Sequence, residues 1–291
     1  MKKKILVTGS SGFIGKNLDE SLRSRFNIIP VHRKDIMNKN HSIFNDIYAV
    51  IHCGGLAHTK DKELTNFYKA NFLYTKKLIN LCVKTNMKHF IFLSTINIDF
   101  STKNNLIDKK NFPYAYTKKK TEDLLLNLKN KKFKLYILRL PLVYGNGVKG
   151  NLKSLINIVK KNVPLPFKQI QSRKTILSIS NLISFIVLIL ESKIKKKLIY
   201  ISDKETKSVH QIIKQLIKFN KEKNIFFYLP NYLLKSIFFI FLKKNTFKTL
   251  TKDTSEILKK TYSSNYWKPK GFCVLDMKKA YESSLESRKI I

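Results

Sequence analysis

The chain has 291 residues, 43% of them hydrophobic, which suits one globular domain or a core domain with a smaller lobe and excludes a disordered or fibrous protein. The formal net charge is +38, from 57 basic and 19 acidic residues. We interpret this charge as a drift of composition towards lysine, because only six basic residues are arginine; a nucleic acid or an anionic membrane is the alternative partner.

Short apolar runs alternate with helical patterns through the first half of the chain, which predicts a parallel sheet with helices on both faces. The predicted strands are residues 5–7, 27–31, 49–52, 89–93 and 135–138. The predicted helices are residues 15–25, 65–85 and 114–130. The fold class that follows is α/β, a doubly wound parallel sheet.

The first predicted strand leads into a helix through three glycines with the spacing Gly-x-x-Gly-x-x-Gly. Glycine allows a tight turn and lets backbone N–H groups approach a pyrophosphate at a helix N-terminus. The pattern therefore predicts a Rossmann-type dinucleotide-binding loop. Its residues are Gly9, Ser11, Gly12, Phe13, Ile14 and Gly15.

The chain changes character after residue 145, where amphipathic helices are predicted over 152–161 and 209–220 and a strand over 198–201. Beyond residue 226 the pattern becomes irregular. We expect a dinucleotide-binding domain over 1–145, to which 174–200 returns, and a smaller C-terminal α/β substrate-binding lobe over 146–173 and 201–291.

The cysteines Cys53, Cys82 and Cys273 are widely spaced and odd in number, which fits neither a disulfide framework nor a metal site and suits a reducing cytosol. We therefore expect no metal and a cytoplasmic location. The apolar stretches 182–190 and 232–242 are too short for a transmembrane segment. We interpret both as core helices, with attachment of the second to a membrane surface as the alternative.

The strand 89–93 runs into Thr95, and ligands of doubly wound sheets gather at the carboxyl ends of the strands. Tyr114 and Lys118 lie four residues apart on the next helix and share one face. Because a nearby ammonium favours the phenolate, we expect Lys118 to lower the pKa of Tyr114. Tyr114 is then expected to exchange a proton with a substrate hydroxyl group while Thr95 hydrogen-bonds the same oxygen.

A second pair, Tyr116 and Lys120, has the same spacing. Helical geometry places Tyr114 and Lys118 on or beside the apolar arc of this helix and the second pair on its polar side. The arc is formed by Leu124, Leu125 and Leu128. We therefore predict that Tyr114 and Lys118, rather than Tyr116 and Lys120, are the catalytic pair.

Together these motifs resemble those of the extended short-chain dehydrogenase/reductases, in the NAD-dependent epimerase/dehydratase group that acts on nucleotide sugars. The resemblance rests on residues 8–15, 50–53, Asn71, 90–95, Tyr114 with Lys118, and 138–145. Residues 147–151 and 164–166 followed by Arg173 resemble a subgroup of 4-epimerase-like and 4-ketoreductase-like enzymes of surface polysaccharide pathways, which act on UDP-N-acetylhexosamines.

The resemblance implies a catalytic set of Thr95, Tyr114 and Lys118, with Lys118 also on the nicotinamide ribose. It implies that Asn71 lies near the cofactor and that Asn151 and Arg173 bind the diphosphate of a UDP-sugar, which suits an amide and a guanidinium. A homodimer built from helices 65–85 and 114–130 is also implied. We expect no specific nucleic-acid partner.

Two departures from the family pattern affect the cofactor. Gly54 and Gly55 stand where two alanines are common, which is expected to loosen the loop after the third strand. The second strand ends at His32 and Arg33 with no acidic residue for a ribose 2′-hydroxyl, and a nearby arginine accepts a 2′-phosphate. The cofactor is therefore NAD or NADP, with Arg33 at its adenosine end.

The function expected from this sequence is a nucleotide-sugar 4-epimerase that oxidises C4 transiently with bound NAD. The first alternative is an NAD(P)H-dependent 4-ketoreductase of a UDP-4-keto-6-deoxy-amino sugar. An alternative of another class is a non-catalytic NAD(P)-binding sensor or RNA-associated protein, which has no use for Thr95, Tyr114 and Lys118 together.

Overall fold

The structure is a computed structural model that describes residues 1–37, 42–57, 63–104, 106–129, 132–161, 164–166, 168, 170–219, 226–230, 232–233 and 251–286. Most of the apolar stretch 232–242 and the predicted helix ends at 130 and 220 lie outside these residues. The chain divides into two compact units. The first comprises Met1–Pro141, Ile183–Ile201 and Ser264–Trp267, and the second comprises Leu142–Leu182, Ser202–Ser263 and Lys268–Ile291. The functional domains expected from the sequence stay a prediction.

The strands of the described chain are β1 (Lys4–Thr8), β2 (Asn27–Val31), β3 (Ala49–His52), β4 (His89–Thr95), β5 (Thr102–Lys103), β6 (Leu106–Ile107), β7 (Lys134–Leu140), β8 (Leu142–Tyr144), β9 (Arg173–Ser178), β10 (Leu198–Tyr200) and β11 (Thr206–Ser208). The helices are α1 (Phe13–Leu22), α2 (Arg33–Met37), α3 (Leu64–Phe67), α4 (Tyr74–Cys82), α5 (Asn97–Ser101), α6 (Pro113–Leu126), α7 (Gly150–Val159), α8 (Ile179–Leu190), α9 (Val209–Phe219) and α10 (Val274–Glu286). Two 3-10 turns cover Ser42–Phe44 and Ser255–Lys260, and a π turn, Tyr68–Leu73, joins α3 to α4.

The first unit is built on a parallel sheet with the strand order β2-β1-β3-β4-β7-β10. Every residue of β3 and β4 is buried, as expected for apolar strands covered on both faces. The strand order reverses between β1 and β3, and ligands of such sheets bind at this switch point. The α/β fold class expected from the sequence is confirmed.

The five predicted strands are confirmed as β1, β2, β3, β4 and β7, and β4 continues to Thr95. The helix predicted over 65–85 is interrupted by the π turn, and the helix predicted over 114–130 ends at Leu126. The short strands β8, β9 and β11 were not predicted, because two of them have three residues and β9 begins with Arg173 and Lys174. The expectation of irregular structure beyond residue 226 is wrong for α10.

The second unit contains a three-stranded sheet in which β9 pairs in parallel with β8 and antiparallel with β11. Helices α7, α9 and α10 pack against one another in this unit. Asp203 is buried there, and its carboxylate accepts hydrogen bonds from Tyr144 OH at 2.7 Å and from Asn181 Nδ2 at 2.6 Å. Burial raises the pKa of Asp203 to about 6.

The apolar stretch 182–190 lies in α8, where Leu182, Phe185 and Ile186 are buried. The interpretation of this stretch as a core helix is therefore confirmed. No helix in the described part of the chain is both long and apolar enough to cross a membrane.

A buried ion cluster joins β4, α5, α6, β7 and β10 in the first unit. Arg139 Nη2 lies 2.6 Å from Glu122 Oε2, and Arg139 Nη1 lies 3.2 Å from Asp99 Oδ2. Ser94 Oγ donates to Glu122 Oε1 at 2.5 Å, and Tyr200 OH donates to Asp99 Oδ1 at 2.7 Å. The Glu122 carboxylate, 1% exposed, is thus compensated by a guanidinium and a hydroxyl group.

We expect Arg139→Met to lower the free energy of unfolding by about 3–5 kcal/mol, because it removes the only cation in the described chain that is hydrogen-bonded to the buried Glu122 carboxylate. Asp123→Asn on the same helix is the control, since it removes an exposed pair with Lys119 and is expected to cost about 0.5 kcal/mol or less. Urea denaturation measures both, and equal losses would contradict the assignment of this cluster as a stabilising element.

Candidate active site

The glycine loop lies between β1 and α1 at the switch point of the sheet. Gly9 has a φ of 68°, which favours glycine, and its carbonyl accepts a hydrogen bond from Gly12 N at 2.9 Å. Among the described residues no side chain caps α1, and the first turn of α1 contains no acidic residue. The first N–H groups of α1 are therefore available to an anion, which fits the pyrophosphate of a dinucleotide.

Space around the loop is too small for side chains at two of its glycines. A Cβ atom on Gly15 would lie 2.7 Å from Ser10 Cα, and one on Gly9 would lie 2.8 Å from Gly54 Cα. Of the other predicted loop residues, Ser11 is exposed, while Phe13 and Ile14 are half-buried in the first turn of α1. The loop thus presents mainly backbone at the end of β1.

The loop after β3 is held tightly rather than loosened. Gly54 N donates to Thr8 Oγ1 at 3.0 Å, and a Cβ atom on Gly55 would lie 2.8 Å from Asn71 Oδ1. The expectation that Gly54 and Gly55 loosen this segment is therefore wrong. The missing side chains let the segment approach Thr8 on one side and Asn71 on the other.

Asn71 lies in the π turn, and its side-chain amide is hydrogen-bonded to other residues of the protein. Its Nδ2 donates to Leu56 O at 3.0 Å and to Thr117 Oγ1 at 3.2 Å, and its Oδ1 accepts from Leu56 N at 2.6 Å. The backbone carbonyl of Asn71 accepts from Thr75 Oγ1 and Thr121 Oγ1. Asn71 therefore ties the loop after β3 to α6, and its place beside a cofactor stays a prediction.

Lys118 is buried and directed at the carboxyl end of β4. Its Nζ donates to Leu93 O at 2.8 Å and lies 4.4 Å from the centre of the Phe92 ring. Its other two N–H groups make no hydrogen bond within the described residues. Lys120, the lysine of the rival pair, lies instead over the rings of Tyr68 and Phe72, at 5.2 Å from each.

Thr95 ends β4, two residues beyond the carbonyl that binds Lys118. Its Oγ1 accepts a hydrogen bond from Asn97 N at 3.2 Å, which orients the hydroxyl group. Tyr114 is half-buried in the first turn of α6, with its ring 6.4 Å from that of Phe67. In the part of the chain that the structure describes, neither hydroxyl group donates a hydrogen bond to an acceptor.

Burial is the main cause of the pKa shifts of Tyr114 and Lys118. Burial raises the pKa of Tyr114 to about 12 and lowers the pKa of Lys118 to about 8. The expectation that Lys118 lowers the pKa of Tyr114 is not met, because the ammonium is held at Leu93 O and desolvation dominates.

Arg33 is exposed as the first residue of α2, and its guanidinium lies 5.0 Å from the centre of the Tyr74 ring. Asp35 does not take the place of the missing acidic residue, because its carboxylate accepts the N–H of His32 at 2.7 Å. The end of β2 thus presents a cation to solvent. This observation fits a 2′-phosphate and leaves the choice between NAD and NADP open.

The two residues expected at a sugar nucleotide lie in the second unit. Asn151 is exposed in the first turn of α7. Arg173 begins β9, and its Nε donates to Thr206 Oγ1 at 2.7 Å while its backbone N donates to Asp253 Oδ2 at 2.8 Å. Thr206 and Asp253 orient Arg173, and the sequence contained no signal for either.

Sequence reasoning also missed the polar residues that support the site. Glu122 follows Lys118 by four residues, so helical spacing already placed it on the same face. His52 is the buried last residue of β3, and both of its ring nitrogens are hydrogen-bonded. Buried polar side chains are hydrogen-bonded as a rule, which was the available signal.

The sequence model of the NAD dependent epimerase/dehydratase family matches residues 5–201. A UDP-glucose 4-epimerase from Vibrio cholerae is 30% identical over 249 residues, which are 74% of this chain and 75% of that protein. A UDP-2-acetamido-2,6-beta-L-arabino-hexul-4-ose reductase from Pseudomonas aeruginosa is 22% identical over 231 residues, which are 76% of this chain and 58% of that protein. The crystal structure of a UDP-glucuronic acid 4-epimerase from Bacillus cereus in complex with NAD has a TM-score of 0.71 at 21% identity and covers 98% of both chains.

We expect Gly15→Ala to lower the free energy of unfolding by about 1–3 kcal/mol and to weaken dinucleotide binding, because its Cβ atom forces the loop away from α1. Gly271→Ala is the control, since a Cβ atom there meets nothing within 4 Å. Thermal unfolding and titration with NADH measure the two effects. Unchanged NADH binding by Gly15→Ala would show that the loop does not hold the nucleotide.

Proposed function

The chain belongs to the NAD-dependent epimerase/dehydratase family, and from this premise we propose that it is a nucleotide-sugar 4-epimerase acting on a UDP-hexose or a UDP-N-acetylhexosamine. One observation carries the proposal: at the carboxyl end of β4, Thr95 and Lys118 keep hydrogen atoms that have no acceptor within the described residues, and the hydroxyl group of Tyr114 on α6 has no acceptor there either. Buried or half-buried donors of this kind are typical of a site for a polar ligand. The 30% identity to a UDP-glucose 4-epimerase supports the choice of reaction.

Each residue of this set has a separate task in the proposed reaction. When bound, NAD supplies a nicotinamide ring that accepts a hydride from C4 of the sugar and returns it to the other face. Tyr114 takes the proton of the 4-hydroxyl group during oxidation and gives it back during reduction. Thr95 donates its hydroxyl hydrogen to the same oxygen, and Lys118 uses its two remaining N–H groups to hold the ribose.

Binding of the two nucleotides is assigned to the two units. In the first unit, the glycine loop holds the dinucleotide pyrophosphate against the N-terminus of α1. In the second unit, Asn151 and Arg173 are proposed to bind the diphosphate of the UDP-sugar, with Thr206 fixing the orientation of the guanidinium. A pathway role in the synthesis of a surface polysaccharide is part of the same proposal.

A 4-ketoreductase is the second candidate, and the exposed cation at the end of β2 favours it. With a pKa of about 12, Tyr114 carries the proton that the reduction of a 4-keto group consumes. The exposed Arg33 suits NADPH, and a hexulose reductase matches 76% of the chain. The residues and their tasks stay the same, with Tyr114 acting as the proton donor.

The quaternary structure and location are proposed from family membership and thiol chemistry. A homodimer is proposed to form through segments 65–85 and 114–130, which the family resemblance identifies and which contain α4 and α6. Cys53, Cys82 and Cys273 are free thiols, which supports a reducing, cytoplasmic environment.

We expect Tyr114→Phe to lower kcat about 10²–10⁴-fold, because it removes the group that moves the proton, while NADH binding is retained. Tyr116→Phe on the same helix is the matched control and is expected to keep wild-type kcat. Turnover of UDP-sugars measures both variants. Normal turnover by Tyr114→Phe would overturn the catalytic assignment.

Cofactor stoichiometry separates the two candidates. An epimerase is expected to retain NAD through purification and to interconvert UDP-hexoses or UDP-N-acetylhexosamines without added nucleotide, because the hydride returns to the sugar. A reductase is expected to consume one equivalent of NADH or NADPH for each 4-keto sugar reduced. A panel of UDP-sugars, with and without NAD(P)H, measures this, and inactivity with bound nucleotide on every sugar would favour the sensor alternative.

A further inference from the structure

His52 ends β3 at the switch point and is buried, with its ring stacked on Phe92 at 5.7 Å. Its Nδ1 lies 2.5 Å from Thr8 Oγ1, and its Nε2 lies 2.7 Å from Thr75 Oγ1. One imidazole therefore links β1 to α4 across the end of β3. An apolar side chain would fill the same space in the core without these two hydrogen bonds.

The hydrogen-bond partners of His52 determine which of its ring nitrogens carries a hydrogen atom. Thr75 Oγ1 donates to Asn71 O at 2.7 Å, so it accepts from His52, which places a hydrogen atom on Nε2. His52 is uncharged, because burial and the nearby Lys118 lower its pKa to about 3. The bare Nδ1 then accepts from Thr8, whose Oγ1 accepts from Gly54 N at 3.0 Å.

The result is a chain of four hydrogen bonds with every donor pointing the same way. It runs from Gly54 N through Thr8, His52 and Thr75 to Asn71 O. Hydrogen bonds aligned in this way strengthen one another in a low-dielectric interior.

Both ends of this chain hold the same loop. Gly54 N is bonded at one end, and the Asn71 side chain at the other binds both N and O of Leu56. The loop packs against Gly9 on one side, and a Cβ atom on Gly55 would lie 3.6 Å from Lys118 Nζ on the other. The loop thus lies between the glycine loop and the catalytic lysine.

We propose that His52 is a positioning residue for the dinucleotide site: it fixes the loop 54–56 between the glycine loop and Lys118. This inference rests on the proposed function, because it takes the glycine loop as the nucleotide site. His52 acts through Thr8 and Thr75 and does not itself contact the ligand.

The chain offers a matched control in His89. It is 1% exposed, lies on the neighbouring strand and has a lowered pKa of about 4, also through burial. His89 pairs with Ala49 whereas His52 pairs with Phe92, so the two histidines lie at opposite ends of the same ladder. His89 Nε2 has long contacts of 3.3 Å to Tyr48 OH and Ser192 Oγ.

The test compares His52→Phe, which keeps a stacked ring and removes both hydrogen bonds, with His89→Phe. Titration of each purified protein with NADH and with NADPH, after removal of copurified nucleotide, gives Kd, and thermal unfolding gives Tm. We expect His52→Phe to raise Kd about tenfold, the equivalent of one or two buried hydrogen bonds, and His89→Phe to lower Tm with Kd unchanged. His52→Gln, whose amide donates and accepts, is expected to recover most of the affinity.

A milder variant keeps the test decisive if His52→Phe does not fold. Thr75→Val keeps the side-chain shape and removes the third and fourth hydrogen bonds, so Kd is expected to rise by a smaller factor in the same direction. The inference is overturned if His52→Phe or Thr75→Val binds both nucleotides like wild type, or if His89→Phe raises Kd as much for the same loss of Tm. If the wild-type protein binds neither NADH nor NADPH, the proposed function fails first, which separates the two outcomes.

Discussion

The contact of backbone against backbone at the switch point is the constraint on which the site depends. β1 and β3 are neighbours, with Thr8 paired to His52, and the chain leaves both strands at the same edge of the sheet. Because Gly9 meets Gly54 with no room for a Cβ atom, the turn into α1 stays close to the sheet. The N-terminus of α1 is thereby aimed, uncapped, over the end of β1.

Helix α6 carries two buried charges one turn apart, and they differ in how completely they are compensated. The Glu122 carboxylate is bound by Arg139 and Ser94, which makes it a structural charge. The ammonium of Lys118 has one carbonyl and one aromatic ring as partners, so burial lowers its pKa to about 8. A charge that the fold leaves partly uncompensated is available to a ligand, and this difference separates Lys118, the candidate catalytic lysine, from the other charged residues of α6.

The fold and the catalytic candidates could be predicted because the motifs that indicate them are defined by spacing within a short stretch of sequence. Three glycines before a helix and a tyrosine four residues from a lysine are local patterns. The support for the site is non-local: Asn71 lies in a π turn that no periodicity indicates, and its side chain binds Leu56 and Thr117, which are distant in the sequence. The loosened loop at Gly54 was a wrong prediction for the same reason, since its tightness comes from Thr8, far away in the sequence.

The direction of the reaction depends on the same non-local terms. Burial raises the pKa of Tyr114 to about 12, so proton transfer at this hydroxyl group depends on the groups that surround it. An epimerase needs proton transfer in both directions in each turnover, whereas a reductase needs only proton donation. Because both use the same tyrosine, threonine and lysine, sequence motifs identify the chemistry without its direction. The direction depends on whether the dinucleotide stays bound, and loop 54–56 is the segment that packs directly against the glycine loop at Gly9.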